Sequence, residues 1–540
     1  MNLRPNIQSR LKSIAFHPFV LALFPIIALL AENIEQVNYQ DSIRALIAAL
    51  VMTVVQTLIL FIIFKNWHKA AGVSSLFLIL FFSYGHVYAL SKTTTIAGMI
   101  IGRHRVLAPL WIVSFTLGAW IIAKKLSDMR AITKTMNQLV VLALLFPIFR
   151  LGLYFYDNQV RGYFQPVEAR EPDTDLTISK DAALPDIYYI ILDGHARADV
   201  LQRRFDHDNT SFIEFLKDRG FVVAEQSQSN YLWTHLSLAS SLNMDYLQEL
   251  NLHLKPGGFR GQTYELIRHS LVRRILENLG YSTVSLASGF FASEFHDADY
   301  YLSPQITGFD QLQVVGGINE FEGLLIHTSA VKILTDFEIL QAADWAAEAL
   351  NYSWRAHRQV ILGAFNNLEW IPNITGPKFI YVHIVSPHRP YVFDRAGNEV
   401  TSREPFLFAP PDVDWKEEVP LYKDQLIYID SKVEEVIDAI LARSETRPII
   451  ILQSDHGSIL GFDWDQPDKI GVSDRAAILN AYYLPDSCSS SIYPTITPVN
   501  TFRSIFDCVF GTSYGQLEDV TYFDDRAGTP AFTKIQDLFR

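Results

Sequence analysis

Five long apolar runs crowd into the first 156 residues, and no other feature of the 540-residue chain limits its folding so strongly. They are Phe16 to Ala31, Ile43 to Phe64, Val73 to Leu90, Val106 to Ala123 and Gln138 to Tyr156. A helix needs about 20 apolar residues to cross a bilayer core of about 30 Å, so residues 1–158 are expected to form a transmembrane domain of about five helices. The first run is short and holds Pro18 and Pro25; the fifth carries Pro147 and Arg150. No small-residue cleavage site follows "LLAENIEQ", so the first run is read as an uncleaved anchor.

Basic residues orient such a bundle, because cytoplasmic connections carry the excess of Lys and Arg. Arg4, Arg10 and Lys12 precede the first run, Lys65 and Lys69 follow the second, and Lys124, Lys125, Arg130 and Lys134 follow the fourth. All of these fall on one side. The opposite side has Glu32, Glu35 and Asp41, with Lys92, Arg103 and Arg105 dissenting. The amino terminus is therefore expected in the cytoplasm, and an odd number of spans puts everything after Tyr156 outside. The net charge of −13 argues against a nucleic-acid partner, whose binders present a basic stripe. Cys488 and Cys508, the two cysteines, both lie in the exported part, where a disulfide is chemically allowed. Their spacing alone decides nothing about pairing.

Residues 159–185 are polar, contain proline and lack any period, as a linker does. Beyond them, β-rich runs ("DIYYIILD", "FVVAE", "YSTVSL", "KFIYVHIV", "PIIILQS", "LNAYYLP") alternate with helical patterns. This alternation predicts an α/β domain over 186–540, with a largely parallel sheet covered by helices. In such sheets the carboxyl ends of the strands lie on one edge, where side chains far apart in sequence converge. Three strand ends offer chemistry: Asp193 in "IILDGHARAD", His383 and His388 in "YVHIVSPHRPYVF", and Asp455 with His456 in "IILQSDHGS". A fourth segment, "SNYLWTHLSLASSLN", places Thr234 at or near the start of a helix. Oxygen from Asp193 and Asp455, nitrogen from His456 and a hydroxyl from Thr234 suit a divalent cation such as zinc or manganese. At a helix amino terminus beside a cation, Thr234 would also be an activated nucleophile facing an anionic substrate.

The order strand–Asp193, Thr234 before "SLASSLN", "SPHRPY", then "SDHG" and "LNAYYLP" resembles the alkaline phosphatase superfamily. It is most similar to the sulfatase-like membrane branch of phosphoethanolamine transferases and lipoteichoic acid synthases. The resemblance implies a transmembrane bundle before an extracytoplasmic alkaline-phosphatase-like domain. It assigns Asp193, Thr234, Asp455 and His456 to the metal, Thr234 to covalent catalysis, and His388 to the substrate phosphate or sulfate oxygens. His383 and Arg475 are further candidates for substrate contact. Arg197 is expected to pair with Asp199, Asn230 to hold the turn ahead of Thr234, and Tyr493 to Phe506 to pack the last helix on the sheet.

Departures from the branch are specific. "NYLWTHLSLA" lacks the Cys or Ser followed by x-Pro-x-Arg that the aldehyde-bearing sulfatases use. Ser458 stands where the transferases carry Glu after "DHG", no histidine follows in "ILGFDWDQPDKIGVSDR", and Asp193 replaces a common Glu. The expectation is a metal-dependent phosphotransferase or phosphodiesterase in the bacterial inner or cytoplasmic membrane. It would move a head group from a membrane lipid to an envelope glycan or lipid acceptor. The alternatives are an extracytoplasmic phosphate or sulfate ester hydrolase, and a sensor or scaffold whose site has decayed.

Overall fold

A computed structural model describes residues 14–34, 39–92, 94–96, 99–159, 184–250, 259–304, 319–337, 344–400, 414–464, 466–524 and 532–538. Most of the expected linker, 160–183, lies outside these residues. The chain divides into two units: Met1–Tyr156 with Asp310–Ser353 and Ser402–Leu407, and the remainder.

The first unit contains α1 (His17–Asn33), α2 (Ile43–Phe64), α3 (Trp67–Ser91), α4 (His104–Lys124) and α5 (Met129–Gln159). The last four offer stretches long and apolar enough to cross a membrane. At 17 residues α1 spans only about 25 Å, short of a bilayer core. Many large apolar side chains on α2, α4 and α5 are exposed, among them Ile62, Ile112, Val113 and Phe146. In water that would be untenable, whereas lipid tails match such a surface. The unit also takes in two short helices, Glu320–Thr328 and Val331–Asp336, from beyond the boundary expected at residue 159.

The second unit is built on a seven-stranded sheet. Its strands are β1 (Ile187–Leu192), β2 (Val222–Val223), β3 (Ser282–Leu286), β4 (Tyr300–Leu302), β5 (Lys378–Ile384), β6 (Ile449–Gln453) and β7 (Asn480–Tyr483), in the order β2-β7-β6-β1-β5-β3-β4. The five strands from β6 to β4 are parallel, and β7 runs antiparallel to both β6 and β2. All six residues of β1 are buried. Ile187, Tyr189 and Ile191 enter one apolar core and Tyr188, Ile190 and Leu192 the other, so helices cover both faces. Each such side chain contributes about 1.5–3 kcal/mol on burial, so β1, like the equally buried β5 and β6, anchors the fold.

Helices α6 (Thr234–Asn243) and α9 (Pro498–Val509) pack on the first face, and α7 (Trp415–Arg443) on the second. A short helix α8 (Lys469–Ala476) precedes β7. Cys488 and Cys508 form a disulfide that ties the turn Asp486–Ser491 to α9.

Candidate active site

Sheet register brings the two acidic strand ends together. Ile191 pairs with Gln453 across β1 and β6, so Asp193 and Asp455, each two residues further, emerge side by side on one face. Ile191 also pairs with His383 of β5, which puts that imidazole on the same face one step behind. This is the face covered by α6, whose Ser241 Oγ lies 3.1 Å from Tyr189 Oη. Sheet pairing therefore aims the strand-end chemistry at the start of α6, where Thr234 is the first helical residue and Trp233 the cap.

Thr234 Oγ1 lies 3.1 Å from His456 Nε2. His456 Nδ1 lies 3.1 Å from the Gly457 carbonyl, and burial with the nearby Arg475 charge holds the ring far below its ordinary pKa. The ring is thus neutral, with Nδ1 donating and the Nε2 lone pair turned toward Thr234, Asp455 Oδ2 at 3.3 Å and Asp193 Oδ1 at 3.7 Å. A lone pair facing two carboxylates is repulsive unless a cation lies among them. The hydrogen-bond pattern agrees: Asp193 Oδ1 and Asp455 Oδ2 are buried with no hydrogen-bond partner, a costly state for charged oxygens in the absence of a cation. One ligand atom from each of Asp193, Asp455 and His456 lies within 4.8 Å of the others. These residues fit a divalent metal ion.

The carboxylates respond in opposite directions. Burial and the Asp193 charge push Asp455 up to about 7. Asp193 is buried too, yet His388 foremost and the nearby His383 hold it below its ordinary value. His383 Nε2 is 3.4 Å from Asp193 Oδ2, and its Nδ1 is 2.7 Å from Ser293 Oγ. The backbone N–H of His388 donates to the Asp193 carbonyl, and its ring centroid is 6.3 Å from that of His456. His388 Nδ1 is 2.5 Å from the Arg389 carbonyl, which leaves Nε2 for other duty.

The remaining residues frame this group. Arg475 is buried, and it donates through Nη1 to the Gly457 carbonyl and through Nε to that of Leu232. It thereby ties the "DHG" turn to the segment before Thr234, a clamping duty the sequence reading did not foresee. Ser454 Oγ donates to the His456 carbonyl and accepts from His195 N–H. Gly457 is required by contact: a Cβ there would stand 2.4 Å from the Asp474 carbonyl oxygen. Asn230 accepts from Val499 N–H and donates to Val520 O and Thr497 Oγ1, so it holds its turn as expected. Arg197 pairs with Asp199 at 2.6 Å. Sequence reading missed Ser293, His195 with its buried partner Asp430 at 2.9 Å, and His357, which interacts electrostatically with His388. The adjacency of His195 to Asp193 was the one available signal; the others reach the site through tertiary structure alone.

The family model described as Sulfatase matches residues 185–477, more than half of the chain. Among curated proteins none matches. Similar solved structures include the C-terminal periplasmic domain of EcEptC from Escherichia coli in complex with Zn, with 12% identity over 66% of this chain and 94% of that one at a TM-score of 0.43. The integral membrane lipooligosaccharide phosphoethanolamine transferase A from Neisseria meningitidis has 12% identity over 91% and 96%, at 0.37. The lipoteichoic acid synthase LtaP from Listeria monocytogenes has 15% identity over 66% and 81%, also at 0.37. By its matched span the chain belongs to the sulfatase family, within the alkaline phosphatase superfamily of hydrolases and transferases.

Proposed function

We propose that this chain is a membrane-anchored, metal-dependent phosphotransferase or phosphodiesterase that uses Thr234 as its nucleophile. The single observation carrying this reading is Thr234 Oγ1 at 3.1 Å from the His456 nitrogen, beside two buried carboxylates with unpartnered oxygens. Asp193, Asp455, His456 and Thr234 would hold a zinc or manganese ion. When bound, such an ion lowers the pKa of a hydroxyl and offsets charge on phosphate oxygens.

Thr234 Oγ attacks phosphorus in line; its bond to phosphorus forms as the bond to the donor alcohol breaks, leaving a phosphothreonine diester or monoester. His388, whose pKa burial holds below the ordinary value, takes the Thr234 proton and passes it to the departing alcohol oxygen, while first-turn N–H groups of α6 meet the charge on the non-bridging oxygens. In the second half His388 takes the proton of the incoming hydroxyl, whose oxygen displaces Thr234, and returns that proton to the Thr234 oxygen, which restores the free enzyme. His383 and Arg475, buried beside the group, maintain its shape and charge.

Membrane-capable helices would hold the site near lipid head groups and raise the local concentration of a phospholipid donor. The basic residues at one end of the bundle and the Cys488–Cys508 disulfide support a catalytic domain on the oxidising, extracytoplasmic side of a bacterial inner or cytoplasmic membrane. The acceptor would be an envelope glycan or lipid. Incubating the purified full chain with head-group-labelled phospholipid and envelope extract tests this. Label in a glycan or lipid acceptor supports transfer, label released to water instead supports the hydrolase alternative, and no turnover by a metal-loaded protein would overturn both.

A further inference from the structure

The first unit holds a helical hairpin that the catalytic reading does not use. Helices Glu320–Thr328 and Val331–Asp336 meet at Ser329 and Ala330. One end is fastened by Arg44, the second residue of α2, which donates through Nε and Nη2 to Glu322 at 3.0 and 2.5 Å. Asn319 caps the first helix and donates to the Asp41 carbonyl. The other end is fastened by Asp336, 2.6 Å from Nε2 of His104, the first residue of α4, with Lys332 at 3.1 Å from the same carboxylate. The His104 ring stacks on Tyr88 at 4.3 Å, near the end of α3. Both fastenings thus lie at the end of the bundle where α2 and α4 begin and α3 finishes.

The turn of the hairpin lies elsewhere. Ala330 N–H donates to the Phe81 carbonyl at 2.8 Å, Ser329 is buried, and a Cβ on Gly85 would stand 2.2 Å from the His327 carbonyl oxygen. Phe81 and Gly85 precede Ser91, the last residue of α3, by about 15 and 9 Å of helix rise. The seven helical steps from Glu322 to Ser329 cover a similar depth, about 10 Å. Irregular backbone at such depth persists only where protein satisfies its polar groups. The Phe81 carbonyl does that for Ala330, and Gly85 permits the approach as small residues do between membrane helices. Leu334 and Phe337 are meanwhile exposed, at 37% and 55%.

We infer that Asn319–Phe337 is a re-entrant hairpin, which dips into the bilayer leaflet at the Ile43 end of α2 and turns back without crossing, its exposed side against lipid acyl chains. The inference rests on the bundle being membrane-spanning. The chain, having left the bundle after α5, returns to the lipid between β4 and β5.

A spin label on Leu334→Cys in the full chain, reconstituted in phospholipid nanodiscs, tests it, since both native cysteines are disulfide-bonded. Collision with oxygen should exceed collision with a nickel chelate several-fold, as for a label at Ile112 of α4 and opposite to one at the exposed Glu214. Gly85→Leu should raise nickel access at residue 334 and leave Ile112 unchanged. Nickel access at 334 equal to that at 214 would overturn the hairpin if Ile112 is lipid-exposed; water exposure at Ile112 as well would overturn the membrane reading itself. Unaltered access at 334 in the Gly85→Leu protein would contradict the packing of the turn on α3, and the wild-type background decides should that variant fail to fold.

Discussion

Asp193 and Asp455 leave neighbouring parallel strands at matching positions, two residues beyond the Ile191–Gln453 pair, and each turns a buried, unpartnered oxygen toward the other's vicinity. Two such oxygens beside the His456 lone pair have the geometry and the electrostatic need that a divalent cation would satisfy. Asp455→Asn should therefore lose metal and activity together. The loss should exceed the roughly 10–100-fold that changes beyond the direct ligands cost. Elemental analysis and turnover on one preparation check this, and full metal content would remove Asp455 from the ligand set.

Ser293 touches His383, and His383 faces Asp193. Ser293→Ala should free that imidazole and weaken metal affinity roughly 10–100-fold, with the melting curve of the chelated protein unchanged. Competitive chelator titration reads the effect.

His388→Ala should retain metal and slow turnover by roughly 100–1,000-fold, within the usual cost of removing one group that moves a proton in the transition state. Loss of metal in this variant would instead make His388 a ligand.

Gly457→Ala would place a methyl 2.4 Å from the Asp474 carbonyl oxygen. Overpacking of this kind costs about 1–3 kcal/mol, and here the displaced atoms adjoin Asp455 and His456. Reduced thermal stability and reduced metal content should appear together.

His357 supplies a pH test at a residue outside the proposed ligand set. Burial, then the charge of His388, depress it to about 4. A histidine with a folded pKa below its unfolded value contributes stability that is complete above about 6.5 and is lost as pH falls toward 4, on the order of 3 kcal/mol in all. His357→Gln should flatten that acid limb in thermal unfolding between pH 7.5 and 4.5. An unchanged limb would place the acid sensitivity elsewhere.

Much of this site could be read along the chain because its parts sit at strand ends. A fully buried run such as "IYYIIL" or "IIILQ" announces a central strand, and the first polar residue after it must lie at the sheet edge. Residues that act through tertiary contact left no such mark. Ser293 ends a single 3-10 turn, Phe291–Ser293, and His357 lies in an ordinary helix, and neither differs in local pattern from dozens of similar residues. The hairpin 319–337 was equally hidden. Its apolar stretch is broken by His327, Ser329, Lys332 and Asp336, so it lacks the continuous length by which a span is recognised.

The proposed chemistry stands on Thr234 becoming covalently modified during turnover. Acid-quenching the metal-loaded enzyme with phospholipid and mapping its peptides by mass spectrometry tests it most directly. A phosphate-derived mass on Thr234, absent from Thr234→Ala, is the expected result. An unmodified Thr234 during sustained turnover, or an active Thr234→Ala enzyme with its adduct on Ser237, would contradict the account.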